Sequence, residues 1–209
     1  MANDLMDLLQ GQLTDGLLDQ MSAQLGGASK EQTAVAASGI FNTLVGALAK
    51  NASTPEGANS LVNALDNDHD GSILDNITDI FQGQSQAQTV SQKTLNGAGI
   101  LNHLLGDRQD GAASMISQMS GLNKGQTGNL MSMLAPVVLG TLGKQRSQGG
   151  LDVASIASLL TGTVSNQRAN NSNPAMSLVA QFLDSDGDGS IVDDVAGIGM
   201  KLLGNLFKK

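Results

Sequence analysis

Cysteine is absent from the 209 residues, which excludes disulfides, thiolate metal sites and cysteine nucleophiles together. Tryptophan and tyrosine are absent too, and phenylalanine occurs four times. The core must therefore be built from Leu, Ile, Val, Ala and Met, thin side chains that suit closely packed helices and take weight from an all-β reading. Proline is scarce at 3 residues, and the 26 glycines are spread through apolar segments, so the chain is neither collagen-like nor low in complexity. Many helix contacts are expected to run over Gly or Ala. The opening MANDLMDLLQGQ has Asp4 and Asp7 where a secretory signal has Lys or Arg, and no long apolar run follows. Cytoplasmic residence is the expectation. Only eleven bases occur, scattered and almost without aromatic company, which leaves no nucleic-acid footprint.

What is abundant is aspartate, and it is concentrated. The formal net charge is −8, yet nine of the 19 acids are Asp66, Asp68, Asp70, Asp75, Asp184, Asp186, Asp188, Asp193 and Asp194. Without those nine, ten acids face eleven bases and the remainder is nearly neutral. Each cluster gathers four or five like charges, at a Coulombic cost that a divalent cation would relieve.

The chain also repeats itself. MSAQLGGASKEQT (Met21–Thr33) has its counterpart in ISQMSGLNKGQT (Ile116–Thr127), and each precedes an apolar, Gly-containing stretch, Ala34–Lys50 and Gly128–Lys144. The offset between copies is 94 at Thr33/Thr127 but 118 at Asp66/Asp184, which places an insert between Gln145 and Asn173. The organisation read from this is a first helical repeat over residues 1–83, a polar linker or solvated helix over 84–95, and a second repeat over 96–209 with its insert at 145–173. Within the insert, Leu151–Leu160 has apolar periodicity, and the polar run TGTVSNQRANNSN reads as an exposed loop.

Helical spacing of Leu5, Leu8, Leu9, Leu13, Leu17 and Leu18 predicts an amphipathic N-terminal segment, bent at Gly11 or Gly16. Ser29 with Gln32 three residues on is a capping signal for the next helix. The uncharged stretch Gln32–Ala49 contains Thr33, Ser38, Asn42 and Thr43 and falls at the short end of a bilayer span. It reads as a buried helix. No segment alternates at period two, so the expected fold is all-α: a helical bundle from two tandem copies of one helical unit, each with a short Asp-rich loop.

Those loops, Asp66–Asn76 and Asp184–Asp194, place carboxylates at positions 1, 3 and 5 (Asp66, Asp68, Asp70; Asp184, Asp186, Asp188), Gly at 6, and Ser72 or Ser190 at 7. Calcium takes six to eight oxygens, and a chain wrapped around it can offer one carboxylate every second residue. Glycine permits the sharp turn, the residue at 7 offers its carbonyl, and Ile73 or Ile191 at 8 would anchor the loop to the core. The pattern resembles the EF-hand calcium loop over about eleven residues at each site. It departs at position 12, where Ile77 and Val195 stand instead of Glu. An acid stands at position 10 in both copies, Asp75 and Asp193, as in the shortened loop of the bacterial excalibur domain, which this resembles. These are the expected closing ligands, with Asp194 a lesser candidate. If Ser72 and Ser190 cap the following helices, Asp75 and Asp193 also complete S-x-x-D capping boxes. The alternative is that the Asp-Gly turns merely end helices, without an ion. Magnesium fits less well, because it tends to keep its waters.

His69, at position 4, is expected to face solvent, and His103 to be partly buried or at the surface; two isolated histidines give no catalytic constellation, so no enzyme activity is expected. The C-terminal AGIGMKLLGNLFKK (Ala196–Lys209) suits either a membrane-surface helix or a bundle helix with Lys at its dipole end.

The opening Asp4–Gly27, the TLVGALAKN segment and the LDNDHDGSILDN loop together resemble the bacterial domain-of-unknown-function 937 family, which is related to YidB-like proteins. The resemblance covers Asp4 to about Phe81 and is looser in the second half. It implies an all-helical fold and no established activity. Taken with the loops, the expectation is a non-catalytic calcium-binding structural or interaction protein with two Ca2+ sites, a protein partner or homo-oligomer, and no nucleic acid. The alternative is a membrane-associated helical protein.

Overall fold

The computed structural model describes residues 5–77, 80 and 93–169. At its N-terminus the predicted amphipathic segment is two helices, α1 (Leu5–Gln12) and α2 (Asp15–Gln24). The chain breaks between the two candidate glycines, where the Thr14 side chain accepts a hydrogen bond from the Leu17 amide at 3.3 Å. Leu5, Met6 and Leu9 on α1, and Leu17, Leu18 and Met21 on α2, turn one stripe into the core.

Helix α3 (Lys30–Asn51) begins with the expected capping box: Ser29 accepts from the Gln32 amide, and Gln32 accepts from the Ser29 amide, each at 3.1 Å. Every residue from Gly39 to Ala49 is buried, so this helix is enclosed around its whole circumference. Its polar groups survive burial largely by bonding one turn back. Thr33 and Thr43 donate to the carbonyls of Ser29 and Gly39, and the Asn42 amide nitrogen donates to Ser38, at 2.9–3.0 Å. Among the described residues α3 alone is long and apolar enough to cross a membrane, and 78% of that apolar window is buried inside the protein.

Helix α4 (Pro55–Asn67) starts from a Thr54 cap with Pro55 at its first position and leads into a 3-10 turn at Ser72–Asn76. After residue 92 come α5 (Gly97–Leu105), capped by Asn96, a short 3-10 turn at Gly106–Arg108, and α6 (Gln109–Ser120). Helix α7 (Lys124–Gly149) opens with a second capping box, Asn123 with Gln126. Its interior Pro136 has no N–H for the Ser132 carbonyl. That carbonyl faces Gly97 at the start of α5, so closely that a Cβ there would overlap it. Helix α8 (Val153–Ala169) completes the described residues.

Helices α3 and α7 form the centre: α3 packs on α6, α7 and α8, and α7 packs on α5, α6 and the Ser72–Asn76 turn. The described residues contain no strand, so the fold is all-α. One expectation is corrected within the insert. Thr161–Ala169, read as exposed loop, continues α8, because Thr163 and Val164 extend the buried stripe begun by Ile156 and Leu160. The Thr163 hydroxyl is satisfied by the Leu159 carbonyl at 2.9 Å. The linker at 84–95, apart from the turn at Lys93–Leu95, the second Asp-rich loop at 184–194 and the C-terminal segment 196–209 lie outside the described residues.

Candidate functional site

The first Asp-rich loop leaves the end of α4 and is pressed onto the C-terminal half of α7. Three α7 residues on one face receive it. Gly140 meets the Ile73 side chain, Gly143 lies under the His69 carbonyl, and Lys144 stands against Gly71. A Cβ at Gly140 or Gly143 would overlap the loop, so the two glycines are what allow this approach. Ile73 is 3% exposed, the anchor expected of position 8. Gly71 has φ 99° and ψ −5°, the left-handed turn expected of position 6, and no other residue type accepts it as readily. From the other side the Thr94 hydroxyl donates to the Asp68 carbonyl.

His69 is corrected by this packing. Instead of facing solvent it is buried at 5% exposure, and its Nδ1 has no hydrogen-bond partner. Burial holds its pKa below the usual imidazole value against the pull of Asp68 and Asp70. His103 is exposed.

The carboxylates divide among partners. Arg146 takes both oxygens of Asp66, Nε to Oδ1 at 2.5 Å and Nη2 to Oδ2 at 2.7 Å, and its remaining Nη1 donates to the Leu151 carbonyl. This guanidinium lowers the pKa of Asp66. Lys144 pairs with Asp75 at 3.2 Å. Asp70 accepts the Ser72 amide at 2.9 Å, and the Ser72 amide and hydroxyl together lower its pKa. Asp68 caps α4 and is half-buried. The anticipated Ser72–Asp75 capping box does not form: Gly71 precedes the 3-10 turn without a side-chain cap, Ser72 serves Asp70, and Asp75 turns to α7.

The loop is thus bent as the pattern requires, but its acids at positions 1 and 10 reach outward to two protein cations. No three acid or histidine side chains converge on a point that could hold a metal ion, among the described residues. Sequence reasoning missed Lys144 and Arg146. The available signal was that two of only eleven bases close an apolar helix, in GKQR.

Beneath the loop lies an apolar hollow of about 410 Å³ between Ile73, Ile77, Leu95, Met133, Pro136 and Val137. Its polar lining is Gln24, Asn96 and Ser132, with no acid, base or histidine.

A family model described as bacterial protein of unknown function (DUF937) matches residues 7–145. The chain belongs to the DUF937 family. The DUF937 match takes in the first Asp-rich loop, the two glycines that receive it and Lys144, and stops one residue short of Arg146. No curated protein and no solved structure matches the chain.

Proposed function

We propose that this DUF937 protein is a non-catalytic structural or interaction protein, built from two copies of one helical unit, in which calcium orders the two Asp-rich loops and the helices that flank them. The observation that carries the reading is the bend at Asp70–Gly71–Ser72. Position 6 is already left-handed, position 5 already clasps position 7, and position 8 is already buried. The acids at either end are also already neutralised by cations, so the loop's charge calls for a positive partner in either state. At the first loop calcium would replace protein cations: Asp66 and Asp75 must leave Arg146 and Lys144 before they can join Asp68 and Asp70. Both pairs are partly exposed, and water competes for them.

Two features support the two-copy reading. Both capping boxes fall at the offset of 94, as do the hydrogen bonds of Thr33 to Ser29 and Thr127 to Asn123. The glutamines of the boxes also cross over: Gln32 donates to the Gly121 carbonyl at 3.1 Å, and Gln126 to the Leu25 carbonyl at 2.7 Å. Each box is thus fastened to the turn that precedes the other box.

Isothermal titration tests the calcium reading. About two ions per chain are expected, lost when Asp66→Ala and Asp184→Ala are combined, and a titration unchanged by the pair rejects it. Light scattering with and without calcium tests self-assembly.

A further inference from the structure

We propose that Asn96 is a deamidation site, and that its conversion to isoaspartate detaches the start of α5 from α7. The proposal is independent of the calcium reading.

Asparagine followed by glycine occurs once in the 209 residues, at Asn96–Gly97. Glycine is the neighbour that makes an asparagine most labile, because it puts no side chain in the way when its amide nitrogen approaches the asparagine Cγ. Here the fold demands both residues. Asn96 is the N-cap of α5, its Oδ1 accepting the Gly99 amide at 2.9 Å. Gly97 is buried against the Ser132 carbonyl, the one that Pro136 leaves without an amide, and a Cβ at Gly97 would overlap that oxygen. Any residue bulky enough to slow the reaction would therefore collide with α7.

The closed cap occupies both reacting groups. The Gly97 N–H donates to the Leu95 carbonyl at 2.8 Å, while the Asn96 side chain is held by the Gly99 amide. Reaction needs this first turn to open, and helix ends are where local opening costs least. Asn96 is exposed, so water reaches it. In the opened turn the Gly97 nitrogen gives up its proton and attacks Cγ. The N–Cγ bond forms, the Cγ–Nδ2 bond breaks, and ammonia leaves carrying that proton. One water then opens the succinimide at either carbonyl. Opening at Cγ gives aspartate on an unaltered backbone, which caps as well as asparagine does and can reclose. Opening at the main-chain carbonyl gives isoaspartate, which routes the backbone through Cγ and lengthens it by one carbon. Gly97 then no longer fits the tight approach to Ser132. Asn96, Gly97 and Ala98 also line the apolar hollow, so the hollow widens with the detachment.

The full chain is incubated at mildly alkaline pH, and the mass gained when an amide becomes a carboxyl is located peptide by peptide. Conversion is expected at Asn96, with isoaspartate the larger product. An Asn96 that keeps its amide while other asparagines convert overturns the site. Gly99→Ala should convert faster, because its methyl would stand 2.6 Å from the Asn96 Nδ2 and push the cap aside. A rate equal to that of the wild type overturns the role of cap opening. Detachment is read separately, by amide hydrogen exchange over the first turn of α5 in the purified isoaspartate form and in Asn96→Asp, which carries the same added charge on an unaltered backbone. Exchange about tenfold faster in the isoaspartate form is expected, and equal exchange in the two overturns the detachment.

Discussion

Arg146 grips Asp66 with two parallel hydrogen bonds, 2.5 and 2.7 Å, across 80 residues of sequence. The pair ties the end of α4 to the end of α7, and it also occupies the carboxylate that opens the first Asp-rich loop. A cation bound there must compete with it. Structure and the proposed ion binding are therefore coupled at one residue.

Removing the guanidinium should separate the two roles. In Arg146→Ala, Asp66 is released from its protein cation, and calcium affinity at the first loop is expected to rise by about fivefold or more, the lower end of ordinary coupling between two ligands of one group. Asp66→Asn should abolish binding there whether or not Arg146 is present. Titration of both variants in a chain carrying Asp184→Ala isolates the first loop. An affinity unchanged by Arg146→Ala would show that Asp66 is not a ligand.

Gly143 has no room for a methyl group. The His69 carbonyl lies where a Cβ would sit, and backbone on both sides leaves no flexible atom to yield. Gly143→Ala should destabilise by about 1–3 kcal/mol, the usual cost of overpacking. A drop of roughly 2–4 °C in Tm per kcal/mol is expected for a chain of this size. Gly111, on α6 with open space around it, is the control: Gly111→Ala should stabilise by about 0.5–1 kcal/mol through helix propensity alone. Equal effects at the two positions would mean that the loop does not press on α7.

These contacts mark where sequence stops being informative. The helices over residues 5–51 were legible because their signals are local: leucines at helical spacing, Ser29 with Gln32, and the uncharged stretch Gln32–Ala49. The bend of the first loop was legible for the same reason, since Gly71 and Asp70 act on their immediate neighbours. The surroundings of His69 were not, because the approach of its backbone carbonyl to Gly143 joins residues far apart along the chain. The partners of Asp66 and Asp75 were hidden likewise, as only the fold brings α7 to the loop. Thr161–Ala169 misled in another way: its polar composition suggested a loop, while two residues on the right face, Thr163 and Val164, were enough to bury it as helix.

Acid should loosen the loop before it unfolds the protein. His69 is buried, and its pKa is held below the imidazole value of 6.5, so an opened loop binds a proton more readily than the closed one. The closed loop's advantage is complete above pH 6.5 and is lost as pH falls from there through the folded pKa. Asp66 and Asp70, whose pKa values are lowered, contribute in a separate and more acidic window, below the carboxylate value of 3.8. Urea midpoints between pH 7.5 and 5 should fall in the wild type and stay flat in His69→Leu. A slope that persists in His69→Leu would assign the dependence to another group.

The crossed glutamines offer a last and separable test. Gln126 accepts from the Asn123 amide as part of its own cap and donates to the Leu25 carbonyl 101 residues away, so one side chain joins a local and a long-range contact. Gln126→Glu keeps an oxygen for the cap but cannot donate to Leu25, whereas Gln126→Ala loses both. The cap is worth about 1 kcal/mol, and the donated bond, with a carbonyl left unmet, about 1–3 kcal/mol more. Gln126→Ala should therefore cost more than Asn123→Ala, which removes the cap alone, and Gln126→Glu should fall between them. If the two halves are joined through this pair of crossings, Gln32→Ala and Gln126→Ala combined will cost other than the sum of the single changes, because loosening one crossing moves the other. Additive urea midpoints would mean that the two crossings are independent caps and that the halves are held together by the α3–α7 core alone.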